Sequence, residues 1–80
     1  MRLLVDIGNT RVKWRLLDCS LSLVSSGFVR GVDLSDVYIE RCFGYFELEY
    51  IYISNVADKS LLSKFKEFAC ERNIGVKNFR

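Results

Sequence analysis

The chain has 80 residues, of which 50% are hydrophobic, 14% aromatic and 28% charged. This composition excludes an intrinsically disordered or collagen-like chain, and the length limits the protein to one domain with a small core. Twelve basic residues against ten acidic ones leave a net charge of +2. Because that excess is small, we expect neither nucleic acid nor an anionic membrane as the main partner. The expected organisation is a single domain over residues 1–80.

Histidine is absent from the sequence, and its cysteines, Cys19, Cys42 and Cys70, form no C-x-x-C pair. The usual zinc sites and the histidine-dependent general bases and nucleophiles are therefore excluded. An odd cysteine count without a secretory leader predicts reduced thiols, which we expect to fill the core as small hydrophobic residues, and a cytoplasmic location. No stretch approaches the roughly 20 apolar residues of a membrane span.

The first part of the chain predicts a three-stranded antiparallel meander. Residues 2–7 form a short apolar segment, and Gly8-Asn9 suits a tight hairpin turn. The next segment alternates with period two, which predicts a half-buried strand. Its apolar face carries Val12, Trp14 and Leu16, with Trp14 in the core, and its basic face carries Arg11, Lys13 and Arg15.

A second turn at residues 18–20 leads into a third predicted strand, which contains Leu21, Leu23, Phe28 and Val29. We expect Ser25-Ser26-Gly27 to interrupt that strand, because Ser and Gly in succession are typical of loops.

The second part of the chain predicts two helices and two strands. Asp33 or Ser35 suits the N-cap of a short helix that carries Val37, Tyr38 and Cys42 and ends at Gly44. Residues 48–54 form a nearly continuous apolar run, which predicts a parallel strand covered on both faces.

The clearest helix follows, with one apolar face, a cap at Asp58 or Ser60 and an end at Asn73 to Gly75. That face consists of Leu61, Leu62, Phe65, Phe68 and Ala69. Residues 76–79 predict a last strand. The order is β-β-β-α-β-α-β, an α/β domain with a mixed sheet.

The most informative segment is Asp6-Ile7-Gly8-Asn9-Thr10-Arg11-Val12-Lys13. It places an acid at the end of a buried strand, then a flexible turn, then basic residues on the returning strand. Gly8 permits positive φ and close backbone approach, Asn9 and Thr10 add donors, and Lys13 adds a mobile positive charge for a phosphate. Asp6 suits Mg²⁺ held through water. The alternative is a plain hairpin turn followed by a solvated basic strand face.

The run from Leu3 to Trp14 resembles the opening of type III pantothenate kinases, also described as Baf-type proteins. Their first phosphate motif reads D-x-G-N-[TS], followed after a short gap by a lysine. The resemblance is strongest over residues 3–18 and continues more loosely from Tyr50 to Asn73. There the family often shows Ser-Ser-Val or Ser-Val, where this chain has Ser54-Asn55-Val56.

The resemblance implies a ribonuclease H-like half of the actin-like ATPase fold. It also implies ATP-dependent phosphorylation of pantothenate, the first step of coenzyme A synthesis. The resemblance further implies Mg²⁺, a monovalent cation (K⁺ or NH₄⁺) and a homodimer. By the match, Asp6 lies near the metal and the phosphates. The other residues assigned to the ATP phosphates are Gly8, Asn9, Thr10, Arg11 and Lys13.

The family's catalytic aspartate segment, G-x-D-R, and its second phosphate motif, D-x-G-T, have no match in these 80 residues. We therefore expect an N-terminal half with no catalytic residue of its own and no turnover alone. Two alternatives are a Baf-type regulatory protein and a small module that binds a nucleotide or a protein. Without a covering half, the aromatic run over residues 43–53 would be exposed, which predicts self-association.

Overall fold

The computed structural model describes residues 1–54 and 56–79. Its strands are β1 (Arg2–Ile7), β2 (Arg11–Leu17), β3 (Leu23–Arg30), β4 (Tyr50–Ser54) and β5 (Gly75–Phe79). The helices are α1 (Asp36–Phe43), which follows a 3-10 turn at Gly31–Asp33, and α2 (Lys59–Glu71). The predicted order β-β-β-α-β-α-β is confirmed over this part of the chain.

The five strands form one mixed sheet in the order β3-β2-β1-β4-β5. Strand β2 runs antiparallel to β1 and β3, whereas β4 runs parallel to β1 and β5 runs parallel to β4. The connections through α1 and α2 both move toward the β5 edge. Because such crossovers are right-handed, both helices lie on the same face of the sheet, where they contact each other.

Burial along the strands shows which face the helices cover. On the central strand β1, Leu3 and Ile7 are fully buried, whereas Leu4 between them is 37% exposed. Strand β4 repeats the pattern, with Ile51 and Ile53 fully buried and Tyr50 37% exposed. The prediction that β4 is covered on both faces is therefore wrong for the described residues. No described element packs on the second face, which we call the open face.

Strand β3 runs without interruption through Ser25-Ser26-Gly27, so the predicted break is wrong. Gly27 lies opposite Trp14 on β2, and a Cβ at position 27 would come 2.8 Å from Cζ2 of the indole. Glycine is therefore needed at position 27, because the Trp14 ring leaves no room there for a side chain. As predicted, Trp14 packs against the core, where its ring meets Phe43 edge-on at 5.0 Å between centroids.

Helix α1 begins where the sequence predicted, with Ser35 as the N-cap. Its side chain accepts a hydrogen bond from the Tyr38 backbone N–H, and Gly44 ends the helix. The buried side chains, however, are Ile39 and Phe43, whereas Val37 is 59% exposed.

Helix α2 has the predicted apolar face and begins at its N-cap Asp58. Its last turn closes through Asn73, which adopts a φ of 57°. The Ile74 N–H donates to the Ala69 carbonyl at 2.9 Å, as in a Schellman motif.

The three cysteines are free, and only Cys42 packs against the core. Cys19 and Cys70 are exposed, so the expectation that they fill the core is wrong. Among the described residues, no helix has the length and apolar character needed to cross a membrane.

Candidate phosphate-binding groove

The β1–β2 hairpin carries the segment that the sequence singled out. The Gly8 N–H donates to the Arg11 carbonyl at 2.9 Å, and Asn9 and Thr10 form the exposed tip. Gly31, the first residue of the 3-10 turn after β3, fixes the hairpin, since its N–H donates to the Thr10 carbonyl at 2.9 Å. The tip is therefore Asn9-Thr10 rather than the predicted Gly8-Asn9.

Gly8 does not use the positive φ that glycine permits, since no described glycine has one. The second expected reason for a glycine, close approach, is met. A Cβ at position 8 would lie 3.1 Å from the Arg11 carbonyl oxygen, tighter than most Cβ contacts. The N–H groups of Asn9 and Thr10 donate to no described residue and are available to an anion at the tip.

Asp6 and Lys13 lie directly opposite each other on β1 and β2. Both belong to the open face, because Val5, Ile7 and Val12 beside them are buried under the helices. Neither side chain takes part in an ion pair or side-chain hydrogen bond with the described residues. The Asp6 carboxylate and the Lys13 ammonium thus lie on neighbouring strands without a hydrogen-bond partner among the described residues.

A groove of about 460 Å³ lies along the sheet beside this pair. Its size falls in the range of small-molecule sites. The lining residues are Leu4, Val5, Asp6, Lys13, Trp14, Arg15, Ser26, Gly27, Phe28, Tyr52 and Ser54. Two cations against one carboxylate give it a positive balance, and the two serines add hydroxyl donors.

Ser54 reaches the groove because β4 runs parallel to β1. That register places Ser54 beside Asp6 at the carboxyl ends of both strands, the edge where open parallel sheets bind ligands. The Ala57 N–H donates to the Ile7 carbonyl at 2.9 Å, which ties the segment after β4 to the end of β1. Asn55, which departs from the family pattern, lies outside the described residues.

The structure brings together only part of the predicted set. Asp6 and Lys13 line the groove, whereas Gly8, Asn9 and Thr10 lie beyond its end at the hairpin tip. Arg11 does not line it either; its guanidinium lies 5.1 Å from the centroid of the Phe28 ring.

Sequence reasoning did not assign Arg15, Ser26 or Ser54 to the site. Arg15 could have been found from the period-two alternation of β2, which places it on the same face as Lys13. Ser26 was hidden by the predicted break in β3. Ser54 required the parallel register of β4, which no local pattern contains.

The donor set fits a magnesium ion only when phosphate supplies most of its ligands. Among the described residues, no group of three or more Cys, Asp or Glu side chains could hold a metal ion. Mg²⁺ commonly takes one carboxylate, several waters and substrate phosphates. Asp6 can supply that carboxylate, and we assign no described residue to a monovalent cation.

The helix side of the sheet supports the groove from below. The Trp14 Nε1 donates to the Tyr38 hydroxyl at 3.4 Å, which links β2 to α1. Burial raises the pKa of Tyr38; the hydrogen bond from Trp14 opposes this rise, and the contact with Cys42 adds to it. The phenol therefore stays protonated under Trp14 at neutral pH.

Comparisons with known proteins assign no family to this arrangement. No family model matches the sequence, and no curated protein matches it.

Proposed function

We propose that this chain is the ATP-phosphate-binding half of a kinase similar to type III pantothenate kinases. The observation that carries the proposal is the pairing of Asp6 with Lys13 at the base of the Asp-Ile-Gly-Asn-Thr hairpin. An acid for a metal, a tip with available N–H groups and an uncommitted lysine are the parts that a metal–nucleotide phosphate site requires.

The topology supports the same proposal. A ribonuclease H-like half opens with a three-stranded meander and continues with alternating helices and strands. The sheet order β3-β2-β1-β4-β5, with β2 antiparallel to its neighbours, agrees with that arrangement. The open edge at the carboxyl ends of β1 and β4 would then face the nucleotide.

Each residue has a stated role in this proposal. Asn9 and Thr10 donate backbone N–H groups to phosphate oxygens, and Gly8 keeps the hairpin narrow. Lys13 places its ammonium against the same phosphates. Asp6 orients the waters of Mg²⁺, which when bound neutralises phosphate charge. Arg11 contributes only long-range attraction, because its guanidinium stacks on Phe28.

Pantothenate as acceptor, a monovalent cation, homodimerisation and a cytoplasmic location belong to the same proposal and rest on the resemblance. We assign no acceptor-binding residue and no catalytic residue among the 80. The proposal for this chain is therefore nucleotide binding.

Isothermal titration with Mg·ATP tests the proposal. One phosphate loop without a facing half should bind weakly, with a Kd of about 1 mM. Asp6→Asn and Lys13→Met should each weaken binding about tenfold, since a hydrogen bond to a charged group contributes about 1.5–3 kcal/mol.

The matched control is Lys66→Met, which removes one positive charge from the exposed side of α2. It should leave the Kd unchanged. Equal weakening by Lys13→Met and Lys66→Met, without weakening by Asp6→Asn, would show that only net charge attracts the nucleotide and would contradict a phosphate site at the hairpin.

A second candidate function is a protein-binding module without nucleotide. The observation that favours it is Leu4 on the central strand, 37% exposed on the open face. Such a module would show no response to Mg·ATP in the titration above.

A further inference from the structure

The open face has a second feature besides the Asp6–Lys13 pair and the hairpin tip, although Leu4, Arg15 and Tyr52 also line the groove. An apolar stripe runs along the middle of the sheet, where Leu4 lies beside Tyr52 and Arg2 lies beside Tyr50 on neighbouring parallel strands. Strands β1, β4 and β5 are parallel to one another, and sheets made wholly of such strands have both faces covered. Leu4, which is 37% exposed on the central strand, therefore belongs to a surface that a partner would cover.

Basic residues flank this stripe on both sides. Arg15 lies opposite Leu4 on β2, and Lys77 lies opposite Tyr52 on β5. The one acidic strand residue that we place on the open face is Asp6, at the hairpin end. The surface therefore has a centre of Leu4, Tyr50 and Tyr52, with positive charge along both margins and, at Arg2, at one end of the stripe.

The ring faces show what kind of partner fits. The Lys77 ammonium lies 4.8 Å from the Tyr50 centroid and 5.9 Å from the Tyr52 centroid, and the two rings are tilted by 46°. Cations already lie over these rings, and Arg11 lies over Phe28 in the same way. Nucleic-acid platforms need ring faces open to bases, so this surface does not favour nucleic acid.

The dimensions suit one helix. The strands β2, β1, β4 and β5 are spaced about 4.8 Å apart and span about 14 Å, and a helix with its side chains is about 10–12 Å wide. A helix laid along β1 and β4 would press its apolar stripe on Leu4 and Tyr52. Its two flanks would then lie above Arg15 and Lys77.

We propose that the open face binds an acidic amphipathic helix of a partner protein. Leu4, Tyr50 and Tyr52 receive its apolar stripe, and Arg15 and Lys77 pair with carboxylates on its two flanks. This inference does not rest on the proposed nucleotide function, because it depends on the stripe rather than on the hairpin tip.

Two designed peptides of about 18 residues test the proposal, a length above the roughly 12–15 residues at which isolated helices are marginal. Both carry the same leucine stripe, one with glutamate flanks and the other with lysine flanks. Fluorescence anisotropy with the full chain should show the acidic peptide binding at least about tenfold more tightly, and binding should weaken as salt is added.

Two charge reversals locate the binding surface. Arg15→Glu and Lys77→Glu should each weaken binding of the acidic peptide about tenfold, whereas Lys66→Glu on the exposed side of α2 should stay within about twofold. Circular dichroism of each variant checks that the fold is intact. The affinity of Asp6→Asn for the acidic peptide should equal that of the parent chain, which would separate this surface from the phosphate site.

Several results would overturn the proposal. These are equal binding of both peptides, no binding of the acidic peptide, or insensitivity to both reversals. Tighter binding of single-stranded polyuridylate than of the acidic peptide would assign the face to nucleic acid. A stable dimer by sedimentation that excludes the peptide would assign it to a second copy.

Discussion

Trp14 lies directly across from Gly27 on the neighbouring strand, and its indole occupies the space that any side chain at position 27 would need. The same ring meets Phe43 of α1 edge-on at 5.0 Å and donates to the Tyr38 hydroxyl. One side chain therefore joins β2, β3 and the first helix, and its placement supports the floor of the groove.

Gly27→Ala should destabilise the fold, because the new methyl would lie 2.8 Å from the Trp14 ring. Overpacking of this kind costs about 1–3 kcal/mol. Urea unfolding measures the loss, and the emission of Trp14, the single tryptophan, reports whether the ring moves. Ser26→Ala on the exposed side of the same strand should change stability by less than about 0.5 kcal/mol. Equal stabilities of the two variants would contradict the assigned role of Gly27.

The sequence could predict the elements whose signals are local. The apolar run of β1 predicts that strand, and the periodic face of α2, with Asp58 just before it and Asn73 just after it, predicts that helix. The unbroken β3 could not be predicted, because Gly27 is explained by Trp14 on another strand.

The site divides in the same way. Asp6 and Lys13 could be paired from a single hairpin, since a short turn fixes their register. Ser54 joins them only through the parallel pairing of β4 with β1. The open face also depends on the direction of two crossovers, which no residue pattern specifies.

Leu21 is a site where a substitution should stabilise the protein. It adopts a φ of 64° in the turn between β2 and β3, a conformation that a branched side chain rarely takes. Leu21→Gly should relieve this strain and stabilise the fold by up to about 1 kcal/mol. Thermal and urea unfolding check the gain. The control Leu23→Gly, inside β3, should destabilise, and a loss of stability at both positions would contradict strain at Leu21.

Asp58 should make stability depend on acid pH. Its side chain accepts hydrogen bonds from the Ser60 hydroxyl at 2.6 Å and the Ser60 N–H at 2.8 Å, and these lower the pKa of Asp58 below its ordinary 3.8. The folded chain thus holds the carboxylate more strongly than the unfolded chain does. This stabilisation is complete above the ordinary pKa and is lost as the pH falls through the lowered one.

Between neutral and strongly acid pH, the melting temperature of Asp58→Asn should therefore fall less than that of the parent chain. Ser60→Ala, which removes the hydroxyl donor, should reduce the slope only in part. If Asp58→Asn has the same dependence of melting temperature on pH as the parent chain, other carboxylates produce that dependence.

Tyr38 should make stability depend on alkaline pH. Burial raises the pKa of its phenol above 10.0, so the folded chain keeps a proton that the unfolded chain releases. The contribution is complete below pH 10.0 and is lost as the pH rises through the raised pKa.

Tyr38→Phe should remove this alkaline loss. At neutral pH the variant should lose about 1 kcal/mol, because the Trp14 N–H loses its acceptor. Unfolding curves at neutral and alkaline pH measure both effects. An alkaline slope that is the same in the variant would contradict the partly buried phenol of Tyr38 as its source.

The most direct test of the central claim, a phosphate site at the β1–β2 hairpin, is a two-dimensional amide NMR titration with Mg·ATP at millimolar concentrations. We predict shifts centred on the Gly8, Asn9, Thr10 and Lys13 amides that saturate together and that require about tenfold more Mg·ATP in Asp6→Asn. An absence of shifts, or shifts confined to residues away from the hairpin such as the outer face of α2, would contradict the account.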